Sequence, residues 1–246
     1  KLKERMKKSI LRFSYFSVRD EWSKEMIQYL TDNEVIPSIT PDPVFAFNYN
    51  APHLVPTKED ILKKYNLPER YIILSFKVGR RVSVDQEWID EFQYLSKEQG
   101  LACVKLPYAD SDAFGDIENN VGTAISPLDW YALIKYSHGY VGNNMHPIVV
   151  SLHNVVPFFS FDNYGIPVLD GRPTNGESSK IYQILKTAGL DNNRVFANAR
   201  KYVAPSALDV FSSIIHFDRE REMQFANDYY GEYEDMMEHI FRRLEC

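Results

Sequence analysis

The sequence predicts an α/β protein built on a doubly wound, Rossmann-like parallel sheet. Three observations carry that expectation. From Tyr71 onward, short apolar runs alternate with amphipathic segments of helix length. The segment Tyr136 to Asp162 reads as strand, polar turn, short helix and strand, the unit from which such sheets are made. Helix boundaries also carry their expected punctuation, including Ser126-Pro127 at one start and Gly189 at one stop.

The elements follow in order. Lys1 to Arg12 is basic and amphipathic, with no signal-peptide core. Ser17 to Leu30 reads as a helix whose N-cap is Ser17, with Asp20 closing a capping box. Trp22, Met26, Tyr29 and Leu30 share its apolar face. Val35 to Ile39 is a short strand, ended by Thr40-Pro-Asp-Pro43. Residues 46–57 read as loop or linker, and Lys58 to Tyr65 as a short helix.

The alternating part begins with a buried strand at Tyr71 to Phe76 and a helix over Asp85 to Gln99. Leu101 to Leu106 is the next strand, residues 108–126 a polar loop, and Ser126 caps a helix. Gly139 to Val141, Met145 to Leu152 and Val155 to Phe161 give strand, helix and strand. Ser179 to Ala188 is a helix, Val195-Phe196 a last short strand, and Arg219 to Leu244 one long helix. The expected regions are thus 1–57, a helix, strand and linker bridging to an N-terminal domain; 58–204, the Rossmann-like domain; and 205–246, C-terminal helices packing on that core or on a further domain.

Composition limits the function classes. A net charge of −6 leaves no broad footprint for nucleic acid. Two cysteines are too few for a disulfide framework and point to a reducing, cytoplasmic compartment. No apolar run reaches the ~18 residues expected of a transmembrane helix. No Walker loop, G-x-G-x-x-G, paired C-x-x-C or H-E-x-x-H is present. His138, His146 and His153 do not have metal-site spacing, and Asp110, Asp112 and Asp116 lack the glycine and glutamate of an EF-hand, so no metal is expected. The chain begins with Lys, which suggests a fragment or processed product.

In an open α/β sheet, ligands sit beyond the carboxyl ends of the strands. Lys77, Arg80, Asn143, Asn144 and Asp162 all follow expected strand ends. His146 falls in the first turn of a helix, where N–H groups attract anions and disfavour the imidazolium. His153, two turns on, suits a C-terminal dipole cap. Arg19 is placed near the second position of a helix, where a cation opposes the dipole; it either reaches a surface carboxylate or meets a bound anion. Lys180 opens a helix after a loop containing Gly165, Gly171 and Gly176.

Three motifs then combine. Ser17-Val-Arg-Asp20 followed by Thr40-Pro-Asp-Pro-Val-Phe45, Tyr140-Val-Gly-Asn-Asn-Met-His-Pro147 running to Asp162, and Ser178 to Leu190 resemble, in order, the middle, C-terminal signature and final helix of the polysaccharide pyruvyl transferase family. The resemblance covers roughly residues 15–200. It implies the C-terminal part of a GT-B-like fold and the transfer of a pyruvyl group from phosphoenolpyruvate to a sugar as a ketal, in exopolysaccharide synthesis at the bacterial cell surface. No cofactor is implied, since phosphoenolpyruvate is the donor substrate. The acceptor is a saccharide, free or lipid-linked, and the enzyme would work in the cytoplasm or against the inner membrane face, as a monomer or homodimer.

By position, Arg19 matches the family's Ser-x-Arg-Asp arginine and His146 the histidine of its Arg-x-His motif. Asn144 stands where that motif has arginine, and the family's N-terminal Gly-Asn-x-Gly-Asp-like motif is not found. The roles implied are His146 as general acid and phosphate contact and Arg19 as partner of the donor carboxylate or phosphate. Lys77, Arg80 and Lys180 would supply the charge that Asn144 lacks, with Asn143 and Asp162 completing the substrate contacts. A GT-B glycosyltransferase using a nucleotide sugar and a non-catalytic binding domain are the competing expectations.

Overall fold

The computed structural model describes residues 1–77, 84–108, 112–122 and 124–244. The chain forms two compact units, Lys1–Asn48 with Asn227–Cys246, and Tyr49–Ala226.

The first unit holds α1 (Leu2–Ile10), β1 (Ser17–Val18), α2 (Glu21–Thr31) and β2 (Ser38–Ile39). β1 and β2 pair in parallel. The expected capping box is displaced: Asp20, not Ser17, is the N-cap of α2, and its carboxylate accepts from the Ser23 N–H at 2.7 Å. Ser17 is instead extended and paired with Ser38. Arg19 therefore lies outside the helix and does not oppose its dipole. α2 ends at Asp32, which adopts φ 54°. Lys3 and Lys7 both reach that carboxylate, and their hydrogen bonds pull its pKa down to about 2. The expected apolar face of α2 is largely open, with Met26 and Tyr29 exposed. Phe45 is fully buried, packed edge-on against Tyr229 with centroids 5.1 Å apart.

Residues 46–57 are more ordered than a linker. Two 3-10 turns, Pro43–Ala46 and Pro52–Leu54, flank α3 (Phe47–Asn50). Pro43 and Pro52 each occupy an early position of their turn, where the missing N–H costs nothing.

The second unit continues with α4 (Lys58–Tyr65), β3 (Tyr71–Ser75), α5 (Gln86–Glu98), β4 (Ala102–Lys105), β5 (Asn119–Asn120), α6 (Pro127–Lys135), β6 (Tyr140–Gly142), α7 (Met145–Asn154) and β7 (Phe158–Asp162). A hairpin, β8 (Val168–Leu169) and β9 (Arg172–Pro173), precedes α8 (Lys180–Ala188), β10 (Arg194–Phe196) and α9 (Ala207–Ile215); α10 (Arg219–Leu244) starts in this unit and from Asn227 on belongs to the first. Six strands form one sheet in the order β10-β7-β6-β3-β4-β5, parallel throughout. This is the doubly wound arrangement, with the order reversing between β3 and β6. The loop expected over 108–126 contains the edge strand β5, two residues long and too polar to announce itself.

Every residue of β3 and β7 is buried, as expected of strands covered on both faces. One face carries Ile72, Leu74, Val141 and Phe161, which pack with Trp88, Phe92 and Phe211 of α5 and α9. Trp88 stacks on Phe92 at 5.3 Å, and its indole N–H reaches the Pro205 carbonyl at 2.8 Å. On the other face the Tyr71 hydroxyl donates to the Leu133 carbonyl of α6 at 2.7 Å.

Gly142 closes β6 where the backbones are too close for a side chain. A Cβ there would fall within contact distance of both the Ser75 carbonyl oxygen and the Tyr140 hydroxyl. The carbonyl cannot retreat without leaving the ladder, in which Ser75 registers with Gly142. Gly142→Ala is expected to lose about 1–3 kcal/mol or more in a urea melt; an unchanged midpoint would refute the clash.

Glu222, in the first turn of α10, is fully buried. Neither carboxylate oxygen has a hydrogen-bond partner among the described residues. Burial pushes its pKa up to about 10, against a weaker downward pull from Arg219. The unfolded chain ionises this group near pH 4.5, so the fold loses stability as pH rises from there towards 10. Glu222→Gln should remove that slope and add about 2 kcal/mol at pH 7.5, less than the full titration difference because the amide's donors are also buried. Parallel stability-against-pH curves for the two proteins would contradict it.

Candidate active site

The reversal of strand order puts the carboxyl ends of β3 and β6 side by side, and the first group to follow β6 bridges them. Asn143 is 4% exposed. Its Oδ1 accepts from the Lys77 backbone N–H at 3.1 Å and from the Tyr108 hydroxyl, while its own N–H donates to the Ser75 carbonyl. Its Nδ2 is buried and has no hydrogen-bond partner among the described residues. Tyr108 follows β4 and also lies 3.2 Å from the Ser75 carbonyl. Burial raises its pKa, so its hydroxyl stays protonated and able to donate. The Lys77 ammonium sits 5.6 Å from the centre of the Tyr108 ring.

Asn144 is the N-cap of α7 by backbone conformation, yet its side chain makes no capping hydrogen bond. The helix thus begins with N–H groups that Asn144 does not satisfy. Met145 is buried beneath this turn, His146 points to solvent, and Pro147 lacks an N–H. At the other end of α7, His153 is buried, and its pKa is pushed down to about 4 by desolvation, with Lys135 adding to the shift. It is neutral at pH 7 and supplies no charge to the helix end, contrary to the dipole cap expected for it.

Asp162 ends β7 and is fully buried. Arg194, from the neighbouring strand β10, donates through Nε to Oδ2 at 2.6 Å. The Tyr164 N–H reaches Oδ1 at 2.9 Å, and the Ser179 hydroxyl is also within reach. Burial raises the Asp162 pKa, against the opposing pull of Arg194. The Arg194 Nη2 continues to the Asn175 and Gly176 carbonyls at 2.8 and 3.3 Å. The pair therefore ties the loop carrying β8 and β9 to the sheet. Lys180, the first residue of α8, lies with its ammonium 4.6 Å from the Tyr164 ring centre.

The second unit thus brings together Asn143, Asn144, His146 and Lys77 around the β3–β6 ends, and Asp162 with Lys180 around the end of β7. Arg80 lies outside the described residues. Arg19 belongs to the first unit, where its Nη1 pairs with the Asp42 carboxylate at 3.0 Å. That contact joins the Ser-Val-Arg-Asp and Thr-Pro-Asp-Pro segments, as does the Thr40 N–H to Val18 carbonyl bond of 2.8 Å. Asp20 and Asp42 also cap the helical turns that follow them.

Tyr108, Tyr164 and Arg194 join these groups without a sequence motif to mark them. Arg194 carries a usable signal: a cation opening a strand of a sheet covered on both faces needs a carboxylate, and Asp162 ends another strand. Tyr108 and Tyr164 carry none beyond their place after strand ends.

Among the described residues, no group of three or more His, Cys, Asp and Glu side chains is placed to hold a metal ion. Among the described residues, too, no helix is long and apolar enough to cross a membrane.

No curated protein matches the chain in sequence. Among solved structures it is similar to the glycotransferase of kitacinnamycin, at 15% identity over 67% of this chain and 40% of that one, with TM-score 0.38. It is also similar to a variant of the wall teichoic acid polymerase TagF, at 13% identity over 93% and 60%, with TM-score 0.37. The chain thus spans less than two thirds of the length of either. The family description polysaccharide pyruvyl transferase matches residues 1–164, which include both the Ser-x-Arg-Asp segment and the whole β6–α7–β7 unit with its switch-point amides. The chain belongs to the polysaccharide pyruvyl transferase family.

Proposed function

We propose that the protein transfers the enolpyruvyl carbons of phosphoenolpyruvate onto two hydroxyls of a sugar in a surface polysaccharide or its precursor, free or lipid-linked. Family membership is the observation that carries this reading. The switch point supports it chemically. Phosphoenolpyruvate brings a carboxylate and a phosphate, and the site offers amide, helix N–H and ammonium donors for them.

In this reading C3 of the donor takes a proton, which makes C2 electrophilic. Two sugar hydroxyls add at C2 and lose their protons. The C2–O bond to phosphate breaks, and inorganic phosphate leaves with that electron pair. His146 is the general acid for C3 and a contact to the phosphate. Lys77, Lys180, Arg80 and Asn144 hold the anion, with the two lysines and Arg80 replacing the charge of the family arginine. Asp162 acts through the loop it anchors. Arg19 is proposed separately as an anion contact, to be tested by its own alanine variant.

The test is the leaving group. The protein, in its natural length, is incubated with phosphoenolpyruvate and a saccharide acceptor, and in parallel with nucleotide sugars. Acceptor-dependent release of inorganic phosphate is expected. Release of nucleotide from a sugar donor, without phosphate from phosphoenolpyruvate, would assign a glycosyltransferase instead.

A further inference from the structure

We infer that Tyr108 is a positioning residue that holds the Asn143 side-chain amide at the angle from which its Nδ2 donates to an anionic oxygen of the bound donor. This rests on the proposed function for the identity of the donor and on the geometry of the switch point for everything else. The Asn143 Oδ1 receives two donors, the Lys77 backbone N–H at 3.1 Å and the Tyr108 hydroxyl. The Lys77 N–H can only donate, so it fixes the amide's sense, and with that sense the Tyr108 hydroxyl donates to the same oxygen and holds the side chain's angle. Both Nδ2 hydrogens are then held on the opposite side. That nitrogen is buried without a partner among the described residues, in a residue 4% exposed. A buried donor left unmade is costly, and a native fold keeps one where something else completes it.

The place of this donor selects what completes it. Asn143 immediately precedes Asn144, the N-cap of α7, whose side chain makes no capping hydrogen bond. The amide and the positive end of the helix therefore share one locality, at the reversal of strand order. A carboxylate or phosphate oxygen matches that set. The Lys77 backbone N–H couples the same amide to β3, so Asn143 is held from both strands that border the site. Tyr108 itself need not touch the donor. Its ring lies below the Lys77 ammonium, and its hydroxyl is spent on Asn143 and the Ser75 carbonyl.

Two measurements test this. In steady-state kinetics Tyr108→Phe should raise the KM for phosphoenolpyruvate roughly 10- to 100-fold while kcat and Tm change little, since the ring is kept. Tyr108→Phe combined with Asn143→Ala should be no worse than Asn143→Ala alone. An unchanged KM in Tyr108→Phe, or additive losses, would overturn the role. The second measurement follows the Asn143 side-chain amide by NMR, assigned by its loss in Asn143→Asp, during titration with phosphoenolpyruvate, inorganic phosphate or a nucleoside diphosphate. Its protons should shift with at least one probe in the wild type and not in Tyr108→Phe. If no probe moves them, the inference is wrong even where turnover is seen. If only the nucleotide moves them and no phosphate is released from phosphoenolpyruvate, the inference stands and the assigned donor falls.

Discussion

Replacing Arg194 by alanine is expected to cost about 3–5 kcal/mol of stability. Asp162 is fully buried, and the Arg194 guanidinium is the one cation paired with it among the described residues. Removing the guanidinium leaves a carboxylate in apolar surroundings, with the Tyr164 N–H and the Ser179 hydroxyl as its remaining donors. The same change releases two loop carbonyls, at Asn175 and Gly176. It also removes a cation lying 5.0 and 5.4 Å from the Tyr182 and Phe196 ring centres. The deficit should depend on pH. Without its partner, the Asp162 pKa rises further above its unfolded value, so the variant loses stability as pH increases past about 4 and approaches the wild type below it. A urea midpoint series from pH 3.5 to 7.5 reads both effects. A loss under about 1 kcal/mol at pH 7, or a deficit constant with pH, would mean that the pair is not what holds the loop. Arg194→Lys should recover little of the loss, because one ammonium cannot bridge a carboxylate and two carbonyls at once.

The parts of this fold that were legible from sequence share one property: their signal is local. Continuous apolar runs gave β3 and β7, because a strand covered on both faces has no polar side to interrupt it. Ser126 before Pro127, Ser179 before Lys180 and Gly189 after Ala188 marked helix ends through chemistry confined to a few residues. What escaped depends on pairing between distant segments. Ser17 is as good an N-cap by composition as Asp20, and only its pairing with Ser38 decides against it. β5 is two asparagines, strand-like only because β4 lies alongside. The hairpin β8–β9 is likewise defined by its register and not by its residues.

The same division runs through the site. Asn143, Asn144 and His146 could be located because they share one short turn with a strand before it and a helix after it. Asp162 could be placed at a strand end, but not its engagement with Arg194, 32 residues on. Tyr108 enters the site because β3 and β4 are neighbours in the sheet, 35 residues before the amide it contacts. A sequence read alone therefore names the groups that a turn presents and misses the groups that aim them. In this chain the aiming groups, Tyr108 and Arg194, carry the buried hydrogen bonds, whereas the presented His146 faces solvent.

That exposure makes His146 the cleanest place to separate chemistry from folding. His146→Ala is expected to lower acceptor-dependent phosphate release by about 10²–10⁴-fold, the range for loss of a positioned proton donor. Because the side chain is exposed and lies at the second position of α7, Tm should change by no more than a few degrees. His146→Gln distinguishes the two duties assigned to the imidazole. An amide can still donate a hydrogen bond to phosphate oxygen, but it cannot give up a proton to C3. If the acid role is right, His146→Gln should keep the KM for phosphoenolpyruvate within about threefold of wild type while kcat stays as low as in the alanine variant. If instead the glutamine variant restores kcat, the residue serves only as a phosphate contact, and the proton for C3 comes from elsewhere. Comparing kcat in the two variants therefore decides whether the turn between β6 and α7 supplies a reacting group or only a place for the anion to rest.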